Sequence, residues 1–104
     1  MKKKVVPIEF SKIENEKQMR LPDAVLEAFN QLIVEKFNRG RSIIKQKEVV
    51  ALMIEKGLQE SDIYDKGWLD IGEVYKLAGW KVGYDKPGYD EDYDAFFTFS
   101  KLSN

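Results

Sequence analysis

The sequence predicts an α+β domain of three helices and a C-terminal β-hairpin, with one short strand between the first two helices. Three observations carry this. Apolar residues recur at spacings of three and four from Val25 to Phe37 and again from Val49 to Ile54, the period of a one-sided helix. Gly40 and Gly57 stand just past these two stretches and Gly79 just past a third, Asp70–Ala78, where a left-handed residue closes a helix. Beyond Gly79 the period becomes two, with Trp80, Val82 and Tyr84 on one face and Ala95, Phe97 and Phe99 on another.

In chain order, residues 1–20 read as an N-terminal arm and 21–104 as a single domain. In the arm, Val6, Ile8 and Phe10 alternate with Pro7 and Glu9 as a short strand does, and Ser11–Gln18 is polar. Pro22 and Asp23 suit the first positions of a helix over 23–38, whose inward stripe is Val25, Leu26, Phe29, Leu32, Ile33 and Phe37. Arg41–Lys45 sets Ile43 and Ile44 between basic residues, too short for a helix and suited to one strand. A second helix follows over Gln46–Lys56, with Val49, Val50, Met53 and Ile54 inward and Glu48 in the first turn, where the helix dipole favours a carboxylate.

Leu58–Gly67 reads as a linker with a short turn at Ser61. The third helix spans Asp70–Ala78, capped by Asp70, with Ile71, Val74, Tyr75 and Ala78 inward. Trp68 and Trp80 bracket it and are assigned to the core, given the area a tryptophan buries. In the hairpin, Lys86-Pro87-Gly88-Tyr89 has the Pro-Gly order of a type II turn. Two registers keep the aromatic faces together: a tight one opposing Tyr84 to Glu91, and a long one opposing Tyr84 to Ala95 and Val82 to Phe97. The long one is preferred because it buries Phe97 and Phe99 and leaves Asp85–Asp94 as a solvated tip. Phe96 then faces outward and calls for a cover: the arm, a second copy of the chain, or a partner.

Composition narrows the chemistry. At 104 residues there is room for one core, and 43% hydrophobic with 34% charged residues is ordinary for a folded domain. The absence of cysteine and histidine excludes disulfides, thiolate nucleophiles, Cys/His zinc sites and Ser-His-Asp triads. Asp90, Asp92 and Asp94 have the alternate spacing of a calcium loop, but its sixth position is Ala95 and its twelfth Lys101, where glycine and glutamate are needed. No glycine-rich phosphate loop is present, and the carboxylates lie in exposed, charged contexts that keep them ionised. The expectation is a protein that is not an enzyme and carries no metal or cofactor. Apolar runs such as Val49–Ile54 are too short to span a membrane, which points to a cytoplasmic location.

Net charge is −1, but its distribution is uneven. Residues 1–60 hold 12 Lys/Arg against 9 Asp/Glu, and residues 61–104 hold 5 against 9. The acidic excess sits in one stretch, where Asp85, Asp90, Glu91, Asp92 and Asp94 face only Lys86. Arg39, Arg41, Lys45 and Lys47 gather around the turn between the first two helices, and Lys2, Lys3 and Lys4 stand ready to join them.

The order of elements resembles the winged helix-turn-helix superfamily over about residues 22–100. The residues that carry the resemblance are Ile43-Ile44 in the place of the first strand, Lys47-Glu48-Val49-Val50 opening the second helix, and Tyr75–Val82 as a recognition helix breaking at glycine into the first wing strand. A second resemblance, to ribbon-helix-helix repressors, rests on Lys17–Asp23 and would make Gln18 and Arg20 base readers. The long connection Asn38–Lys45 and the segment after Gly57 count against it.

Two functions follow as expectations. The winged-helix resemblance implies a small DNA-binding regulator or replication accessory factor acting as a dimer, with Arg39, Arg41, Lys45 and Lys47 on phosphates, helped by Lys76 and Lys81. The alternative is a protein-interaction module or inhibitor that docks an acidic wing on a basic partner. Its contacts would come from Tyr84, Asp85, Tyr89, Asp90, Glu91, Asp92, Tyr93 and Asp94. Asp70, Gly72 and Glu73 on the outward side of the third helix, and the five carboxylates of the wing, oppose the family's usual DNA contact.

Overall fold

The computed structural model describes residues 21–102. The N-terminal arm with Val6, Ile8 and Phe10, the lysines Lys2, Lys3 and Lys4, and the Gln18 and Arg20 of the ribbon-helix-helix reading lie outside the described residues. The elements run α1 (Asp23–Lys36), β1 (Arg41–Lys45), α2 (Gln46–Glu55), α3 (Glu60–Asp65), α4 (Gly72–Leu77), β2 (Trp80–Asp85) and β3 (Phe96–Lys101). The three strands form one antiparallel sheet in the order β1-β3-β2. None of the helices is long and apolar enough to cross a membrane, among the described residues.

One face of the sheet carries Ser42, Ile44, Phe97 and Phe99, all buried, and the helices cover it. Phe29 of α1 is the hub of the core. It is fully buried, and its ring lies edge-on to Phe97 at 5.1 Å, 5.9 Å from Phe99 and 6.2 Å from Tyr75. Tyr75 brings in α4: its hydroxyl donates to Asn30 Oδ1 at 2.5 Å, with the Leu26 carbonyl 3.3 Å away as a second acceptor. Burial pushes the pKa of this phenol well above its ordinary value. Trp68 and Trp80 are half-buried against the same core.

Several expectations are corrected. The linker Leu58–Gly67 contains a fourth helix, α3, where only a turn at Ser61 was expected. Only Ile63 of its six residues is buried, so no periodic stripe announces it, while Glu60 and Asp62 in its first turn suit the dipole. The helix predicted over Asp70–Ala78 is shorter, Gly72–Leu77. Asp70 is not its cap: its N–H bonds the Gly67 carbonyl in a turn, Ile71 is the N-cap residue, and Ala78 is exposed. Helix α1 stops at Lys36, which leaves Phe37 extended and 54% exposed, and Ile54 also faces solvent. The hairpin register opposes Tyr84 to Phe97 and Val82 to Phe99, two residues on from the one preferred. A slip of two keeps every side chain on its predicted face.

Ser42 closes the C-terminal end of α1. The Phe37 N–H turns to the Val34 carbonyl at 3.4 Å, so the Ile33 carbonyl takes the Ser42 hydroxyl instead, at 2.6 Å in a fully buried site. Ser42→Ala strands that carbonyl and should lower stability by about 1–3 kcal/mol in urea unfolding. A loss under about 0.5 kcal/mol, the range of an ordinary surface change, would mean the bond is dispensable.

Candidate nucleic-acid interface

The basic end of the sheet starts at a two-residue turn. Asn38 and Arg41 bond each other's backbone, N–H to carbonyl at 2.8 and 3.3 Å, and between them Arg39 (φ 55°) and Gly40 (φ 87°) are both left-handed. Two positive φ values in succession are what a type I′ turn requires. Glycine accepts this conformation freely, whereas for arginine it costs about 1–2 kcal/mol. The turn puts Arg39 at its apex and starts β1 at Arg41.

Sheet pairing then builds a row. Arg41 of β1 and Lys81 of β2 both oppose Ser100 of the central strand β3. With strands about 4.8 Å apart, the Cα atoms of these two residues sit roughly 10 Å from each other across the outer face. Lys101 lies one residue beyond, opposite Trp80 and so on the other face of the sheet from Arg41 and Lys81, and lines a shallow groove of about 460 Å³ with Phe37, Gly40, Ala78, Gly79 and Trp80. Lys76 of α4 flanks this end, sharing a second groove with Glu73, Trp80 and Lys81. Among the described residues, none of Arg39, Arg41, Lys76, Lys81 and Lys101 is in an ion pair.

The other expected basic residues are elsewhere and occupied. Lys45 is four residues along β1 from Arg41, about 13 Å away. Its Nζ lies 3.7 Å from Asp94 Oδ2, and Lys47 Nζ lies 3.2 Å from the same oxygen. The six cations singled out in the sequence therefore divide. Arg39, Arg41 and Lys81 come together with Lys76 beside them, while Lys45 and Lys47 sit at the opposite end, tied to the acidic stretch.

That stretch is largely internally bonded. Tyr84 donates to Gln46 Oε1 at 2.5 Å and packs its ring 4.8 Å from Phe97. Tyr93 donates to Asp85 Oδ1 at 2.7 Å, with the Lys86 carbonyl 2.9 Å away, and its ring lies 6.2 Å from Phe96. Tyr93 thus packs against Phe96, which is half-buried. The Asp85 carboxylate holds the phenol proton, and desolvation and the charges of Asp85 and Glu91 add to this, so the Tyr93 pKa is pushed up to about 12. Glu91 accepts the Gly88 N–H at 2.7 Å. Asp90 and Asp92 have no ion-pair partner among the described residues, and Tyr89 beside them is fully exposed. No group of three or more acidic side chains is placed to hold a metal ion, among the described residues.

Sequence reasoning missed Lys101 and Phe37. The signal for Lys101 was its position next to Ser100, but its value depends on β3 being the central strand. Comparison with family models, curated proteins and solved structures finds no match to this chain.

Proposed function

We propose that this chain is a small DNA-binding regulatory or accessory protein of winged-helix type, which grips the phosphate backbone with the basic end of its sheet rather than with the tip of its wing. The fold-level part of the reading is supported by the strand between the first two helices, which joins the C-terminal hairpin in one sheet. The observation that carries the functional part is the segregation of charge. Arg39, Arg41, Lys81 and Lys101 have no ion-pair partner among the described residues and lie at one end of the sheet, with Lys76 and Glu73 alongside, while the carboxylates of the wing lie at the other end, where Asp94 pairs with Lys45 and Lys47. Cations without an ion-pair partner, carried on sheet positions about 10 Å apart, are suited to phosphates, since little side-chain pairing has to be broken to bind them. Arg39 adds support, because a left-handed arginine at the turn apex is costly for the fold alone.

The test is fluorescence anisotropy with a random-sequence duplex across a salt series. Binding at low salt should weaken steeply as salt rises, by about 0.9 in log–log slope for each phosphate neutralised. No binding at low salt would overturn the reading.

A second reading, a protein-docking module, is favoured by Tyr89, a fully exposed aromatic next to Asp90. It predicts that changes at Tyr89, Asp90 and Asp92, and not at the basic end, abolish partner capture.

A further inference from the structure

Strand β2 is an edge of the sheet, and its free side is unusually well defined. The Leu102 N–H donates to the Gly79 carbonyl at 3.0 Å, one step before Trp80 opposes Lys101. Antiparallel ladders alternate, so Lys81, Gly83 and Asp85 bond β3 while Trp80, Val82 and Tyr84 point their N–H and carbonyl groups away from the sheet. Among the described residues, no other backbone group bonds that outward row.

Two further features of β2 ask for an explanation. Gly83 is mid-strand without need: its φ is not positive, and a Cβ there would meet only Thr98 Cβ at 3.9 Å, an ordinary contact. A strand glycine weakens its own strand and commonly marks the close approach of another backbone. The charges around it are also self-complementary, with Lys81 two residues before and Asp85 two residues after, both on the outer face.

We propose that β2 pairs with β2 of a second copy across a two-fold axis at Gly83, joining two sheets edge to edge. Antiparallel pairing about Gly83 sets Lys81 opposite the partner's Asp85, and by symmetry the reverse. These are non-hydrogen-bonded positions, where facing side chains come closest. Val82 and the partner's Tyr84 then exchange backbone bonds, which uses the outward row. The two glycines meet at the axis, and the contact is closed and isologous, so it ends at a dimer. Other pairings of the same edge lose this match: centred on Val82, for example, the dimer brings Lys81 against glycine. The proposal does not rest on DNA binding; it engages Lys81 of the basic end with a carboxylate and leaves Arg39, Arg41 and Lys101 free.

Sedimentation equilibrium of the full chain without nucleic acid tests it. The wild type should sediment at twice the 12.1 kDa of one chain. K81E and D85K each place like charges across the axis and should raise the dimer Kd about tenfold or more. An equimolar mixture of the two variants restores opposite charges at both contacts and should return the dimer. V82P removes an outward N–H and breaks no bond to β3, so it should give a monomer that keeps the circular dichroism spectrum of the folded chain. A monomeric wild type, or single variants that dimerise as tightly as it does, would overturn the proposal. So would a mixture no tighter than the variants alone.

Discussion

Phe29→Ala is expected to cost about 3–5 kcal/mol, the range for removing a large aromatic side chain from a core. The side chain is fully buried, and its ring touches the two inward phenylalanines of β3 and the tyrosine of α4. No neighbour is placed to collapse into the space, because Phe97, Phe99 and Tyr75 are each held by their own element. Domains of this size are stable by about 5–15 kcal/mol, so the variant should be near the edge of folding. Its thermal midpoint should fall by roughly 12 °C or more. Urea unfolding that finds a loss below about 1 kcal/mol would mean the core is organised around another residue.

The second large effect concerns binding. Arg39→Asn with Arg41→Ala removes two cations from the basic end. It should flatten the log–log salt dependence of DNA affinity by about 1.8, two phosphates at about 0.9 each. Asparagine tolerates the left-handed conformation that arginine holds at φ 55°, so the variant should be no less stable than the wild type. Binding and folding are thereby separated. Asp90→Asn with Asp92→Asn, at the far end, should leave the slope unchanged. The reverse pattern, an insensitive basic end and a sensitive tip, would transfer the function to the acidic stretch.

Local pattern made much of the fold legible. The strand Arg41–Lys45 lies where two isoleucines between basic residues placed it, and α2 begins at Gln46 as expected. What local pattern does not contain is what the sheet decides. A hairpin slip of two residues leaves both aromatic faces intact, so alternation alone does not separate Tyr84 opposite Ala95 from Tyr84 opposite Phe97. Helix α3 buries one residue, Ile63, and a single apolar position has no period.

The candidate site divides in the same way. That Arg39 and Arg41 belong together was readable from their adjacency. That Lys81 and Lys101 join them follows from β3 lying between β1 and β2, a long-range pairing without a local signature. The removal of Lys45 and Lys47 from the cluster rests on one carboxylate, Asp94, brought across by the hairpin. Opposite charges in a sequence announce that pairs will form, but not which.

The measurement closest to the central claim is an NMR titration of the labelled chain with a short duplex, following backbone amides and arginine side chains. Shifts are expected at Arg39, Gly40, Arg41, Lys81 and Lys101, with Tyr89–Asp92 unmoved. Shifts confined to the acidic tip, or none at low salt, would contradict that claim.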